Sequence, residues 1–263
     1  MLKLAIVQAA AVKNVEKNMD SMCKFVKEAK MKGCNAICFP EAFLTSYAPE
    51  DAETLAIESD SSEIQNVSKI AQEENIDILA GFMELDGEDY HVTHGVFLKN
   101  GDCDFYRKTH LGQKEKKFFK AGNELKSFNL SCGLPVGIQL CGETHYHEIT
   151  QTLVLKGAEV IFAPYAVPKV SGCRSKIWSK YIPARSYDNR VYVACCNLCD
   201  GERFGGGIMV CNPDGEIIEE FFEEKEHLSI FDVNRKLFEK YRSEEGKMSL
   251  NFYPVKRRKE LYL

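Results

Sequence analysis

Apolar residues in the first part of the chain follow strand and helix periods in turn. Residues 1–8 alternate as in a strand, and Asn14 can then cap a helix. The apolar positions of that helix recur at steps of three and four: Val15, Met19, Met22, Val26 and Ala29. Gly33 ends the helix, and the apolar residues 34–39 are predicted to form a buried strand.

The alternation continues beyond this first unit. Ser61 or Ser62 can open a second helix, which leads into an apolar strand over residues 76–83. Two hairpin-like runs follow, and Asn100-Gly101 between them predicts a two-residue turn. Strands that alternate with helices indicate an α/β fold, and the hairpins make its sheet mixed.

The second half of the chain repeats this scheme. A strand is predicted over residues 136–140, a helix over about 144–156 and a strand over 160–163. Residues 32–40 and 156–164 share Lys-Gly, Ile at the sixth position and Pro at the ninth, which fits either chance or a structural pseudo-repeat. No low-complexity linker interrupts the sequence, so a single domain over residues 1–263 is predicted.

Composition narrows the class of protein. Hydrophobic residues make up 44% of the chain and charged residues 28%, which is typical of a soluble globular protein. The formal net charge of -5 argues against nucleic acid as a partner, because nucleic-acid-binding proteins concentrate positive charge on one face. The basic run at residues 256–259 is interpreted as a solvated tail. No segment approaches the roughly 20 apolar residues of a membrane span, so no membrane partner is expected.

The cysteines indicate a reducing environment. The chain has 11 of them, an odd number without regular spacing, and several lie in apolar segments such as residues 36–39 and 193–196. This pattern is typical of reduced, buried thiols rather than of a disulfide framework. A cytoplasmic location is therefore predicted.

Three residues at the ends of predicted strands are candidates for chemistry. Cys141 precedes Gly142 and a helical segment, so it is expected on a strand-to-helix turn where the helix N-terminus favours a thiolate. Gly142 lacks a Cβ and can bring its backbone N–H close to a bound oxyanion. Glu41 and Lys108 can act as base and cation, but each is also explained as an ordinary solvated side chain.

Three short motifs follow one another along the chain. They are Phe-Pro-Glu at residues 39–41, Arg-Lys-Thr-His-Leu at 107–111 and Cys-Gly-Glu at 141–143. In this order they resemble the nitrilase superfamily of carbon-nitrogen hydrolases. The resemblance spans almost the whole chain, from the strand at residues 4–8 to the Pro-Asp-Gly turn at 213–215. No single motif is specific, whereas their joint order and spacing are.

The resemblance implies a fold and a reaction. The fold would be an α-β-β-α sandwich with two mixed sheets, which usually dimerises into four layers. Cys141 would be the nucleophile, Glu41 the general base and Lys108 the residue that stabilises the tetrahedral intermediate. No cofactor and no metal are implied, and a homodimer or higher homo-oligomer is expected.

The resemblance also implies contacts with a substrate. Glu115 is expected to steady the catalytic lysine, while Gly142, Tyr47 and His145 are expected to contact the oxyanion or the substrate. The substrate would be a small amide or N-carbamoyl amine, hydrolysed through a cysteine thioester with release of ammonia. Residues 178–192 look closer to the N-carbamoyl amide hydrolases than to the enzymes that act on nitriles.

One departure from the family pattern bears on substrate charge. Many relatives carry Cys-x-Asp-x-Arg-Phe-Pro-Glu, whereas residues 141–148 here read Cys-Gly-Glu-Thr-His-Tyr-His-Glu. The arginine, which can bind a substrate carboxylate, is replaced by His145 beside Thr144, and neither side chain is permanently charged at neutral pH. A preference for neutral or cationic amides is therefore predicted. Alternative sources of positive charge are Arg174, Arg185 and Arg203.

Other classes of function stay open at this point. A metal-dependent hydrolase would use Glu143, His145 and His147, although the two histidines lie two residues apart and would point to different sides of a helix. A thiolate metal or redox site would use Cys195, Cys196 and Cys199. A catalytically inactive binding protein on the same fold is the remaining alternative, and the presence of all three strand-end residues argues against it.

Overall fold

A computed structural model describes residues 1–243, 253–256 and 258–261. Its strands form two mixed sheets. The first sheet contains β1 (Leu2–Gln8), β2 (Ala36–Cys38), β3 (Ile57–Glu58), β4 (Asp77–Asp86), β5 (Asp89–Phe97), β6 (Cys103–Arg107) and β13 (His227–Val233). The second contains β7 (Ser127–Asn129), β8 (Pro135–Ile138), β9 (Val160–Tyr165), β10 (Tyr192–Asn197), β11 (Ile208–Cys211) and β12 (Ile217–Phe221).

Two of the helices begin at the caps that the sequence predicts, Asn14 and Ser61. The helices are α1 (Val15–Met31), α2 (Ala52–Leu55), α3 (Ser62–Glu74), α4 (His147–Leu155), α5 (Arg174–Trp178), α6 (Ile182–Asn189) and α7 (Arg235–Arg242). The side chain of Asn14 accepts a hydrogen bond from the N–H of Lys17 at 2.9 Å, which caps α1. Ser61 caps α3 through the N–H of Ile64.

The two sheets pack face to face, and helices cover both outer faces. Alternate residues of each strand point to opposite sides, so Leu4 and Ile6 of β1 face the second sheet while Ala5 and Val7 face α1 and α3. The outer face of the second sheet packs against α4, α5 and α6. These layers form an α-β-β-α sandwich, which confirms the fold class predicted from the sequence.

Strand direction brings several chain ends to one edge. In the first sheet β1, β2 and β4 are parallel, and β6 runs in the same direction because two antiparallel pairings separate it from β4. In the second sheet β8, β9 and β10 are parallel. Residues that follow β2, β6 and β8 can therefore meet at the carboxyl edge of the sandwich.

The pseudo-repeat has a counterpart in backbone hydrogen bonds. Asn35 N donates to Lys3 O at 2.7 Å, and Asp77 N donates to Asn35 O at 3.2 Å. At the matching position, Glu159 N donates to Pro135 O at 2.8 Å, and Tyr192 N donates to Glu159 O at 3.1 Å. Asn35 and Glu159 therefore each link the two parallel strands that flank a central strand, at the start of that strand. This equivalence supports a structural repeat rather than chance.

Two local predictions need correction. Asn100-Gly101 is part of a longer loop, in which Leu98 N donates to Asp102 O and Gly101 N donates to Leu98 O. Gly101 has positive φ and Asn100 does not, and a two-residue type I′ turn needs both. The helix predicted from about residue 144 begins only at His147, because residues Cys141–His145 form a separate 3-10 turn.

Within the described part of the chain, no helix is long and apolar enough to cross a membrane. In the basic run at residues 256–259, Lys256 and Arg258 are exposed, and Arg258 pairs with Glu260 at 2.6 Å. These positions agree with a solvated tail. Arg257 lies outside the described residues.

Candidate active site

A cavity of roughly 510 Å³ opens at the carboxyl edge of both sheets. Residues from both halves of the chain line it, including Tyr47, Lys108, Glu115, Cys141 and Gly142. Glu41 does not line the cavity but lies directly behind Lys108. The structure thus brings the strand-end residues together, as the sequence predicts.

The turn after β2 fixes the position of Glu41. Ala42 and Ser46 both adopt positive φ, so the chain reverses sharply and Glu41 is almost fully buried. Gly81 of β4 permits this close turn, because a Cβ there would lie 2.5 Å from Ala42 N and 2.9 Å from the His94 ring. The absence of a side chain at Gly81 therefore makes room for the turn that carries Glu41.

Lys108 is held between two carboxylates. Its Nζ donates to Glu41 Oε1 at 2.8 Å and to Glu115 Oε1 at 2.7 Å, and only 2% of its side chain is exposed. Glu115 also accepts hydrogen bonds from Tyr47 Oη at 2.7 Å and from Gly112 N at 2.6 Å. These contacts hold the ammonium group in place.

The electrostatics of this cluster suit proton transfer near neutral pH. Burial raises the pKa of Glu41 to about 7, although the charge of Lys108 opposes the shift. Burial disfavours the charged form of Lys108, but the charges around it, above all that of Glu41, outweigh burial and raise its pKa. The pKa of Glu115 is lowered because the charge of Lys108 and its hydrogen bonds outweigh burial. At neutral pH, Glu41 is the carboxyl group in the cluster that can accept or release a proton.

Cys141 stands on a strained turn at the end of the second sheet. Its φ of 48° lies in the left-handed region, and Thr144 Oγ1 donates to Cys141 O at 2.8 Å. Burial raises the pKa of the thiol to about 12, the charge of Glu41 adds to the effect, and the charge of Lys108 opposes it. The prediction of a thiolate favoured by a helix N-terminus is wrong, because a short 3-10 turn follows Cys141 and burial dominates.

Comparison with known proteins decides the family. The family model of carbon-nitrogen hydrolases matches residues 3–243. The chain belongs to this family. A nitrilase of Pyrococcus abyssi is 28% identical over 89% of this chain and 90% of its own. The omega-amidase NIT2 of Pongo abelii is 28% identical over 82% of both chains.

Solved structures show that the fold is the one seen in this family. The NitN amidase from Nesterenkonia sp. AN1 superposes with a TM-score of 0.84 at 21% identity, covering 99% of this chain and 98% of the other. Saccharomyces cerevisiae Nit3, a member of branch 10 of the nitrilase superfamily, superposes with a TM-score of 0.82 at 23% identity, covering 92% and 93%. The resemblance to the nitrilase superfamily, drawn from the sequence motifs, is confirmed.

The family resemblance predicts two further contacts, and the structure places Gly142 at the cavity but His145 away from it. Gly142 lines the cavity, but a Cβ at Gly142 would meet no atom within 4 Å, so protein atoms do not require a glycine there. Its N–H is one of the first in the 3-10 turn, where N–H groups have no acceptor within the turn. His145 does not line the cavity, and its ring packs against that of Tyr181, with centroids 4.6 Å apart.

The residues of the metal-dependent alternative do not converge. Glu143 is fully buried and accepts hydrogen bonds from protein groups, whereas His145 and His147 are exposed. His147 lies beside Glu148 at 3.2 Å. Within the described residues, no group of three or more His, Cys, Asp or Glu side chains could hold a metal ion.

The thiolate alternative fails for a similar reason. Cys195 and Cys196 are neighbours on β10 and therefore point to opposite faces of the sheet, into two different cores. Cys199 lies in the following loop, where it pairs with Gly205. All 11 cysteines are free.

The structure changes the prediction for substrate charge. Thr144 is buried and bonded to Tyr165 Oη at 2.6 Å, so neither Thr144 nor His145 faces the cavity. Arg185 donates to the carbonyl groups of residues 144 and 145, and Arg174 donates to those of residues 171 and 172. Arg203 lines the cavity instead. Of the three arginines named as alternative sources of positive charge, Arg203 is therefore the one at the cavity, and neither Thr144 nor His145 supports a preference for neutral or cationic substrates.

Sequence reasoning assigned Glu143 only to the metal alternative and missed its actual environment. The carboxylate accepts hydrogen bonds from groups beside both Lys108 and Cys141. The position of an acidic residue within a strand-to-helix turn signals a hydrogen-bonding role, but its partners come from a strand that lies far away in sequence.

Proposed function

We propose that this protein hydrolyses a small amide or N-carbamoyl amine through a thioester on Cys141. The observation that carries the proposal is the cavity in which Cys141 and the buried Lys108 meet, with Glu41 behind the lysine and a pKa of about 7. A thiol, a base that titrates near neutral pH and a fixed cation are the groups that acyl transfer needs.

In the first half of the reaction, Cys141 forms a bond to the carbonyl carbon of the amide. Its thiol pKa of about 12 keeps it protonated in the free protein, so Glu41 takes the proton as sulfur attacks. The carbonyl π electrons move to oxygen, and Lys108 together with the N–H of Gly142 stabilises the negative charge. Each oxyanion donor of this kind typically contributes about 3 to 4 kcal/mol in the transition state.

The tetrahedral intermediate then collapses. The C–N bond breaks, and protonated Glu41 returns its proton to the nitrogen, so ammonia or an amine leaves and a thioester remains. Water next attacks the thioester while Glu41 again accepts a proton. The C–S bond breaks, the sulfur recovers the proton from Glu41, and a carboxylic or carbamic acid is released.

The relatives favour an amide as substrate. One of them is named an omega-amidase, and the solved neighbours include amidases. A solved form of the Nesterenkonia amidase carries acrylamide at its active-site cysteine through Michael addition. These names support amide hydrolysis by Cys141, and an N-carbamoyl amine remains within the proposal because it presents the same C–N bond to the thiol.

Ammonia release from a panel of small amides and N-carbamoyl amines tests the proposal. Cys141→Ala should lower turnover by at least about a thousandfold, because loss of a nucleophile normally costs several orders of magnitude. Thermal unfolding should change little, since Cys141 lines the cavity and the residue is only partly buried. Activity above about a tenth of the wild-type rate in folded Cys141→Ala would rule out Cys141 as the sole nucleophile.

A further inference from the structure

We infer that Glu143 is a positioning residue that fixes the nucleophile turn relative to the turn that carries the oxyanion-stabilising lysine. The inference rests on the proposed function. Glu143 is fully buried, and its two carboxylate oxygens divide their contacts between the two sheets.

One oxygen holds the chain just after Lys108. Oε1 of Glu143 accepts hydrogen bonds from Thr109 N at 2.8 Å, Thr109 Oγ1 at 2.7 Å and His110 N at 3.1 Å. Tyr106 Oη donates to the same oxygen at 2.8 Å. The donors therefore flank Lys108 on both sides along the chain, which restrains the backbone that carries the ammonium group.

The other oxygen holds the chain just before Cys141. Oε2 of Glu143 accepts a hydrogen bond from Leu140 N at 2.8 Å, and Tyr106 Oη also lies within 3.0 Å. The main chain of Glu143 is fixed as well, because Gln139 Nε2 donates to Glu143 O at 2.8 Å. One side chain thus links the residue before the nucleophile to the residues after the lysine.

This arrangement depends on both the charge and the length of the side chain. The backbone N–H groups of Leu140, Thr109 and His110 can only donate, so the group between them must accept on both oxygens. A glutamine would turn an NH₂ group toward one set of donors. An aspartate is one methylene shorter, so it would reach both chains only if the two turns moved closer together.

Glu143 is also close enough to act on Glu41 through its charge. Burial is the main reason that the pKa of Glu41 is raised, and the charge of Glu143 adds a smaller increase. A neutral residue at 143 should therefore shift the acid limb of the pH–rate profile downward. A purely stabilising role elsewhere in the core would leave that limb unchanged.

The test compares Glu143→Gln with Asp77→Asn. Asp77 is a matched control, since it is also fully buried and accepts hydrogen bonds from Lys99 N and Ser131 N, at a distance from the cavity. All rates are divided by the number of intact sites. That number is the amount of Cys141 that iodoacetamide alkylates, as measured by peptide mapping. Mapping also separates Cys141 from the exposed Cys103 and Cys173.

Glu143→Gln should lower kcat per site at least tenfold and leave KM within about threefold of the wild-type value. It should also slow alkylation of Cys141 at least fivefold. Asp77→Asn should lower thermal stability and leave both rates per site within about twofold. If Glu143→Gln does not fold, Tyr106→Phe, which removes one donor to Glu143, should lower kcat per site at least threefold.

Wild-type kcat and alkylation rates per site in Glu143→Gln, or equal losses in Asp77→Asn, would overturn the positioning role. So would an unchanged kcat in Tyr106→Phe if that variant has to be used. The alkylation rate does not depend on turnover. A wild-type protein that hydrolyses no amide, combined with slower alkylation in Glu143→Gln, would therefore reject the proposed function and retain the inference.

Discussion

At the cavity, two strands of the first sheet are followed by charged side chains, whereas a strand of the second sheet is followed by a thiol. Glu41 and Lys108 follow β2 and β6 of the first sheet and are almost fully buried. Cys141 follows β8 of the second sheet and is partly open to the cavity. Glu41 and Lys108 are thus largely shielded from water, while Cys141 can reach a bound molecule.

The pseudo-repeat makes this comparison sharper. Residues 32–40 and 156–164 have equivalent backbone hydrogen bonds, yet Pro40 is followed by Glu41 and Pro164 by Tyr165. Tyr165 Oη bonds to Thr144 Oγ1 at 2.6 Å and supports the turn behind Cys141. The two segments start alike, but one leads to the carboxylate of Glu41 and the other to the hydroxyl group of Tyr165, so the repeat does not extend to the side chains at the cavity edge.

The largest expected effect comes from removing the cation of the first sheet. Lys108→Met should lower kcat by about 10²- to 10³-fold, because an oxyanion donor is lost. Cys141 should still react with an alkylating agent, since the thiol belongs to the other sheet. Measurement of kcat and of labelled Cys141 in the same sample checks both statements.

Lys120→Met is the matched control for that prediction. Lys120 is an exposed lysine that pairs with Asp89 outside the cavity, so its loss should leave kcat within about twofold. A near-normal kcat in Lys108→Met would remove Lys108 from the mechanism. Complete loss of Cys141 labelling in a folded Lys108→Met protein would show that the reactivity of Cys141 depends on Lys108.

A smaller effect is expected from pH. Glu41 has a pKa of about 7 and must be unprotonated to accept the thiol proton, so kcat/KM should fall as pH drops below about 7 and level off above it. The expected slope on the acid side is about tenfold per pH unit. In Lys108→Met the midpoint should move upward, because the charge of Lys108 lowers the pKa of Glu41. A midpoint near pH 4 in the wild type would contradict the assignment of Glu41 as base.

The smallest effect is expected from Arg203, a cation that lies in a loop and not at the end of a strand. Its Nη1 donates to Tyr47 O at 2.9 Å, and the guanidinium is exposed at the cavity. For an amide with a terminal carboxylate, Arg203→Leu should lower kcat/KM about fivefold relative to the same amide without the carboxylate, as expected of a solvent-exposed charge. Arg174→Leu should leave this ratio unchanged. An unchanged ratio in Arg203→Leu would remove Arg203 as a contact for the carboxylate.

Sequence alone predicted the order of strands and helices because those elements have local signals, whereas the α-β-β-α layers were implied by the family resemblance. Caps at Asn14 and Ser61 fix the helix starts, and apolar runs that end in Glu41 or Cys141 mark the strand ends. The family motifs then indicate which of many carboxylates and thiols belong together.

The features that sequence missed depend on contacts between distant segments. The pKa of Cys141 follows from burial rather than from the turn that carries it, and the place of His145 follows from packing against Tyr181. Glu143 meets donors that lie more than 30 residues away along the chain. No pattern within a short window carries this information.

The covalent intermediate on Cys141 is the central claim, and acid quenching during the first turnover tests it most directly. Wild-type protein mixed with an amide substrate should show, by peptide mass mapping, an added acyl group on the peptide that contains Cys141. The adduct should appear together with the first equivalent of ammonia and should be absent in Cys141→Ala. Release of ammonia at an undiminished rate by Cys141→Ala, with no acyl group on Cys141 of the wild type at any time, would contradict the account.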